Sequence, residues 1–594
     1  MTAAELPETP RRVRLIVGLL LPLIVFVLPA NPAGGPGAWT LLPPLFAISL
    51  AFATSRAILP LAGGVWLGAT MLAWRGGARV MAPLQGVWSG FDTFIVRTSI
   101  YDPGGSWGGD GEGTWMSFNL AVIGFVFALV GMVAVAIRAG GMAGVAERFK
   151  VLARSPRSVR LSSWMLGIAI FFDDYANSLI VGGTMRPLTD RMRVSREKLA
   201  WIVDSTAAPI AGLSILSTWI AYEISQFEPQ LPDAGFAAGS GFAVFLQTIP
   251  FRFYCILTIC FVGAMSYAGR DFGPMLEAER RACDTGAVFR PGSKPMSAEG
   301  DVSAEPKPGI AHRAHVALLP VTVTLGTIVG LFVQQGELAH AAAEGVAGHV
   351  GSGASLLHMR EILEGVSDNT LMLFYGAMVG LGTALALALG ERLLNLAEAA
   401  HAALSGTKAM TVAVAVLMLA WAMAAVCGKV DDGGLGTRQY MASVAPMIPP
   451  LLLPAGLFLL SCGVAFATGS SWSTMGILLP IVIGLASSVG EASSIGGQAM
   501  VIITIGAVLD GSIFGDHCSP ISDTTILSST AAGSDHMDHV RTQAPYAITV
   551  MLIALLAGYL PAAAGMSPWV SLVAGLAAIA GVVTFVARPV RQRS

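Results

Sequence analysis

Residues 506–529, GAVLDGSIFGDHCSPISDTTILSS, decide the fold. Apolar sequence flanks them, yet they carry Asp510, Asp516 and Asp523, a proline in mid-span, five serines and two threonines. A charged side chain at bilayer depth costs roughly 2.5–3.5 kcal/mol on insertion scales. A lipid-facing helix does not accumulate three of them without a use. Read as a helix, Asp516, Ser519 and Asp523 share one face at i, i+3 and i+7. Pro520 has no N–H and breaks the bond to residue 516, so the helix is expected to open there. Opened backbone at membrane depth survives only when buried in protein or lining a wet cavity. Acidic and hydroxyl side chains at such a break suit a cation.

The whole chain agrees with a membrane setting. Its 594 residues are 54% hydrophobic and 12% charged, with net charge −2. A soluble domain carries about 25% charged residues. The near-neutral balance suggests no nucleic-acid partner. Six scattered cysteines read as reduced, small apolar residues rather than a disulfide framework.

Apolar runs at 15–31, 39–55, 58–74 and 115–138 are long enough, or nearly so, to span. Arg148, Lys150, Arg154, Arg157 and Arg160 then mark a cytoplasmic loop. A second basic run, with Arg186, Arg191, Arg193, Arg196 and Lys198, follows residues 161–185. Both flanks belong inside, so 161–185 is expected to be a re-entrant hairpin with FFDDYANS at its tip. Residues 199–225 span outward and contain the polar break DSTAAP. Residues 269–312 lack apolar periodicity and read as a flexible cytoplasmic linker. It divides a first half, 1–268, from a second, 313–594. In the second half, 447–490 reads as a hairpin interrupted by FATGSSWS, and 497–528 as a broken helix.

The expected fold is an all-α polytopic membrane protein. It has about 12 transmembrane helices of spanning length, two re-entrant hairpins, and broken helices at the midplane. Both termini fall in the cytoplasm, with the chain in a bacterial inner membrane. Each half repeats the order spans, hairpin with polar tip, broken span. The hairpins enter from opposite sides, as an inverted repeat requires. Such repeats place a binding site near the midplane and open it alternately to each side.

Three strings carry a family resemblance: FFDDYANSLIVGGTMRPLTDRMRVSREKLAWIVDSTAAPI at 171–210, FATGSSWSTMGILLPI at 466–481, and FGDHCSPISDTTILSS at 514–529. They resemble the NhaC-type sodium/proton antiporter family of the ion transporter superfamily. The resemblance runs over about residues 40–560. It implies a secondary transporter with hairpin-plus-broken-helix architecture, elevator motion, and a homo-oligomer, taken as a dimer, in membrane lipid. Members include exchangers of sodium for protons and cation-coupled carriers of small organic solutes.

Sodium is a hard cation that wants oxygen ligands. The candidate binding residues are Asp173, Asp174, Asn177, Asp204, Ser205, Thr206, Thr468, Ser470, Ser471, Asp516, Ser519, Asp523 and Thr524. Asp173, Asp516 and Asp523 are the expected direct Na+ ligands. Neighbouring buried carboxylates also hold protons readily, so proton and cation would compete for the same oxygens. No cofactor is needed beyond the transported Na+ and H+. Against this stand plainer roles. Asp173 and Asp174 suit caps on backbone N–H groups. Asp510 suits a structural acid, and His517 a core histidine. His536, Asp538 and His539 read as a solvated cytoplasmic loop, and Arg191 to Lys198 as a topology anchor.

The reading is a non-enzymatic antiporter that exchanges cytoplasmic Na+ for external H+. The alternative is a sodium- or proton-coupled carrier of a small organic acid or amino acid. No arginine beside the quoted motifs is read as intramembrane, which favours the inorganic ion. An intramembrane aspartyl protease using Asp174 and Asp516 is the rival from another class. IFGD lacks the first glycine of its GxGD pattern.

Overall fold

Residues that cap helices, rather than residues that fill them, set the architecture of the polar region. The computed structural model describes residues 20–26, 28–31, 35–54, 58–100, 118–294, 306–344 and 369–590. Helix α1 (Pro156–Ala169) begins on a capping box between Ser155 and Ser158, with proline in the first turn. Helix α2 (Asp174–Arg191) begins on Asp173, whose carboxylate accepts the Ala176 N–H. Asn177 of α2 donates to the Gly167 and Ile170 carbonyls at 2.7 and 2.9 Å. Ten residues of continuous helix would span about 15 Å, so this contact folds the arms back on each other as a hairpin.

Helix α3 (Arg196–Leu213) and helix α4 (Thr218–Phe227) form the broken span that follows, bent by 54°. Ser217 caps α4 by accepting the Trp219 and Ile220 N–H groups. After helix α5 (Phe253–Ala268) and helix α6 (Gly273–Thr285), the pattern returns. Helix α7 (Leu453–Thr468) and helix α8 (Ser471–Glu491) meet at Gly469, whose φ of +66° suits glycine. Ser470 caps α8 by accepting the Ser473 N–H, as Asp173 caps α2. Helix α9 (Gly497–Cys518) stops at 519–522, and helix α10 (Asp523–Ala532) resumes the span. The two breaks read Ser-Ile-Leu-Ser at 214–217 and Ser-Pro-Ile-Ser at 519–522. Helix α11 (His536–Ile553) comes next.

The packing between α7 and α9 is close. A Cβ at Gly511 would lie 2.4 Å from the Phe458 carbonyl oxygen, and one at Gly515 2.1 Å from the Ala465 Cβ. Glycine therefore lets the backbones of α9 and α7 touch. The helices Phe118–Arg138, His315–Glu344, Asn369–Gly390 and Leu396–Ala409 form a second group that packs against itself.

Among the described residues eight helices are long and apolar enough to cross a membrane, or up to eleven if each bent pair is one span. Several finer expectations need correction. Residues 15–19 and 27 of the expected first span, 15–31, lie outside the described residues. The hairpin arms also reach beyond 161–185, and both arms of the second hairpin have crossing length, at 19 and 21 residues.

The first break is at 214–217, not at DSTAAP. Helix α3 runs through Asp204 and Pro209. Pro209 frees the Ser205 carbonyl, and the buried helix nevertheless continues, with Asn177 bonding the adjacent Thr206 carbonyl at 3.1 Å.

The stretch 269–312 is no plain spacer. It carries β1 (Arg270–Asp271), which pairs antiparallel with β2 (Arg588–Pro589), and then α6. Glu279 of α6 accepts both the N–H and the hydroxyl of Ser195 at 2.8 and 2.7 Å, and pairs with Arg160. Lys198 meets Asp271 at 2.5 Å, and Arg281 meets Glu197 at 2.9 Å. Polar composition hides these long-range pairs, which dock the segment under α3. Lys198 is accordingly a buried ion-pair partner, 4.4 Å from the Trp201 ring centre, and no surface anchor.

Candidate functional site

Both hairpin tips and both breaks bring their polar residues together. Asp516 lies in the last turn of α9, wholly buried. Ser522 donates to its Oδ1 at 3.4 Å, and the Ser471 hydroxyl at the second hairpin tip faces it. Its Oδ2 has no hydrogen-bond partner. Asp523, Asp174 and Asp204 stand within electrostatic reach.

Asp204 sits on α3 and is fully provided for. Thr525 and Ser528 of α10 donate to it at 3.1 and 3.2 Å, and Gln543 of α11 at 2.5 Å. Asp174 opens α2, buried, with the Trp219 indole facing it. Asp523 differs from the others because it is exposed. Tyr175 donates to its Oδ2 in a short hydrogen bond. An exposed carboxylate at a broken span must face water, so Asp523 and Tyr175 mark the mouth of the cluster.

The neutral candidates take two kinds of place. Thr468, Ser470, Ser471 and Ser519 line the second tip and break, with Thr468 bonding the Ser470 carbonyl at 3.2 Å and Ser519 accepting the Ile521 N–H at 3.4 Å. Thr524 bonds Ser522 at 3.0 Å. Ser205 and Thr206 lie within α3, where the Thr206 hydroxyl turns back to the Ile202 carbonyl at 2.7 Å. Asn177 uses its amide N–H groups on the Gly167, Ile170 and Thr206 carbonyls, while its own oxygen stays buried and unpartnered.

Among the described residues no group of three or more His, Cys, Asp or Glu side chains is placed to hold one metal ion. Asp173 caps α2: its oxygens accept the Ala176 N–H at 2.7 Å and the Thr218 hydroxyl at 3.2 Å.

A sequence profile described as the Na+/H+ antiporter family matches residues 210–560, more than half of the chain. The chain belongs to this family. An uncharacterized protein of Haemophilus influenzae is 31% identical over 519 residues, covering 86% of this chain and 88% of its own. The arginine/ornithine antiporter ArcD of Halobacterium salinarum is 36% identical over 130 residues, 22% of this chain and 25% of that one. The Na+/H+ antiporter NhaC of Alkalihalophilus pseudofirmus is 31% identical over 115 residues, 18% of this chain and 23% of that one. The antiporter family and the apolar helices agree on an integral membrane secondary transporter, and the family is one of transporters rather than enzymes.

Several site residues escaped sequence reading. Gln543 lies in none of the quoted strings, Thr525, Ser528 and Tyr175 lie in them without having been singled out, and only the fold brings the four to Asp204 and Asp523. Arg252 was legible as a lone cation in the apolar run IPFRFY. It is an intramembrane arginine near the motifs, against expectation, and it bonds Asp510 and Glu223. Asp510, expected to be structural or pathway-lining, is held in this ion pair. His536 and His539 lie in α11 rather than in a loop. His539 is buried, bonded to Ser529 at 2.8 Å and to Gln543 at 2.7 Å, because its imidazole completes the polar group around Asp204.

Proposed function

We propose that the chain exchanges sodium for protons across the bacterial inner membrane, cytoplasmic Na+ leaving against external H+. One observation carries the reading: the buried Oδ2 of Asp516 has no partner. Among the described residues none of Asp173, Asp174, Asp204, Asp516 and Asp523 forms an ion pair. A buried carboxylate oxygen with nothing to bond is satisfied by a proton or by a metal cation. The two therefore exclude each other at Asp516, which is the condition for exchange. Ser471 and Ser522 supply neutral oxygens for sodium, and Asp523 meets ions at the mouth. The two repeats, 1–268 and 313–594, present this site to either side in turn, with both termini inside.

Proteoliposomes loaded with a pH-sensitive dye test the reading. A sodium gradient, with no organic solute present, is expected to drive proton movement that Asp516→Asn abolishes. Folded wild-type protein that moves no protons would overturn it.

A second reading puts an organic cation in place of sodium. Trp219, Tyr222 and Trp472 cluster beside Asp174, with Tyr222 and Trp472 ring centres 4.1 Å apart, and aromatic faces attract organic cations. An organic acid fits less well, because Arg252 is committed to two carboxylates. Sodium-independent uptake of basic amino acids into the same vesicles would favour this reading.

A further inference from the structure

Arg252 occupies the bend between Gly241–Phe251 and α5, where the chain turns by 50°. Its backbone, at φ −79° and ψ 60°, is not helical, and its side chain is wholly buried. The guanidinium then reaches three different helices. Nε donates to Asp510 Oδ1 of α9 at 2.9 Å. Nη1 donates to Glu223 Oε2 of α4 at 3.2 Å and to the Gly212 carbonyl, in the last turn of α3, at 3.1 Å. Asp510 is completed by the Tyr254 N–H at 2.6 Å and the Tyr559 hydroxyl at 2.7 Å. Gly212 makes room for the fork, since a Cβ there would lie 2.9 Å from the guanidinium and 3.3 Å from the Glu223 carboxylate.

We propose that Arg252 is a positioning residue for the ion site, an inference that takes the site from the reading above. Each helix it holds carries or holds one of the acids. Asp204 stands on α3. Thr218, the first residue of α4, donates to Asp173. Asp516 follows Asp510 on α9 by six residues, about 9 Å along the axis. The half-helices α3 and α4 are joined in sequence only by 214–217, and the guanidinium bridges them directly. It ties both to the broken helix of the other repeat. Arginine is required because a planar fork serves several acceptors at once, whereas a lysine serves them as a point charge. Arg252 touches no ion, so its effect is on the spacing of the groups that do.

The test uses Arg252→Lys and the milder Glu223→Gln in the full chain. Hydrogen exchange of the folded protein is the first readout, since it does not depend on what is transported. Faster exchange is expected at both breaks, 214–217 and 519–522, in each variant. Exchange that changes only around 250–254, or nowhere, overturns the inference. Transport is the second readout. In vesicles where wild type shows sodium-driven proton movement, Arg252→Lys is expected to raise the half-saturating sodium concentration about tenfold, because misplacement of site groups by about 1 Å costs up to 10²-fold. A lower yield of folded protein with unchanged sodium dependence marks a merely structural arginine and sinks the proposal. Should Arg252→Lys not fold, Glu223→Gln alone decides by the same outcomes. Wild type that moves no protons defeats the sodium reading, while the exchange result still decides the role of Arg252.

Discussion

Two buried polar regions of this chain treat the same side chains in opposite ways. Under α3, Asp271 and Glu279 each face a cation, Lys198 at 2.5 Å and Arg160 at 3.5 Å. Around the tips and breaks, Asp174, Asp204 and Asp516 are as buried but pair with no cation; hydroxyls, an amide, an indole and other carboxylates stand around them. The acids under α3 come with their own counter-charge. On the proposed reading the acids at the site lack one because the missing charge is the cargo.

The sharpest way to break this contrast is to remove a built-in cation. Lys198→Met leaves Asp271 buried and unpaired, and is expected to destabilise the folded protein by about 3–5 kcal/mol. Thermal unfolding in detergent measures it, and Lys198→Met with Asp271→Leu should regain most of the loss. Asp516→Asn is expected to act with the opposite sign, raising stability by about 1 kcal/mol as a buried, unsatisfied group is relieved, while transport is lost. A fall in the unfolding midpoint of that variant would place Asp516 with the structural acids. Tyr175→Phe removes the donor on Asp523 at the mouth. A hydrogen bond to a charged group contributes about 1.5–3 kcal/mol, so transport per folded molecule should fall about tenfold in the vesicle assay.

The smallest effect concerns Glu279, outside the spans. Burial first, and Asp271 second, push its carboxyl up from the ordinary glutamate range, against the pull of Arg160 and Lys198. The folded form keeps its proton to higher pH than the unfolded form. Docking of α6 should therefore weaken as pH rises from the ordinary value of 4.5 through the raised one. Amide exchange in α6, corrected for its intrinsic pH dependence, should quicken across that window, and Glu279→Gln should flatten the response.

Much of the contrast was legible before any coordinates. Pro520 announced the second break because a missing N–H acts locally, and basic flanks announced the first hairpin. Pro209 misled, because α3, buried along its length, runs through the proline without opening. The docked α6 was hidden because its apolar content is low and its stability comes from pairs such as Glu279 with Ser195, 84 residues apart. Arg252 and Glu223 were visible as isolated charges, but the partner Asp510, 258 residues from Arg252, was not. Sequence shows which charges are unusual. Only the fold shows which of them are already answered.

The glycine seam between α9 and α7 bears on movement. Slide one helix along the other by a single residue, about 1.5 Å, and side chains would occupy the slots that Gly511 and Gly515 leave open. The seam works as a key in a keyway: the hairpin arm and the helix bearing Asp516 must travel as one stiff lever, and any gate has to swing elsewhere.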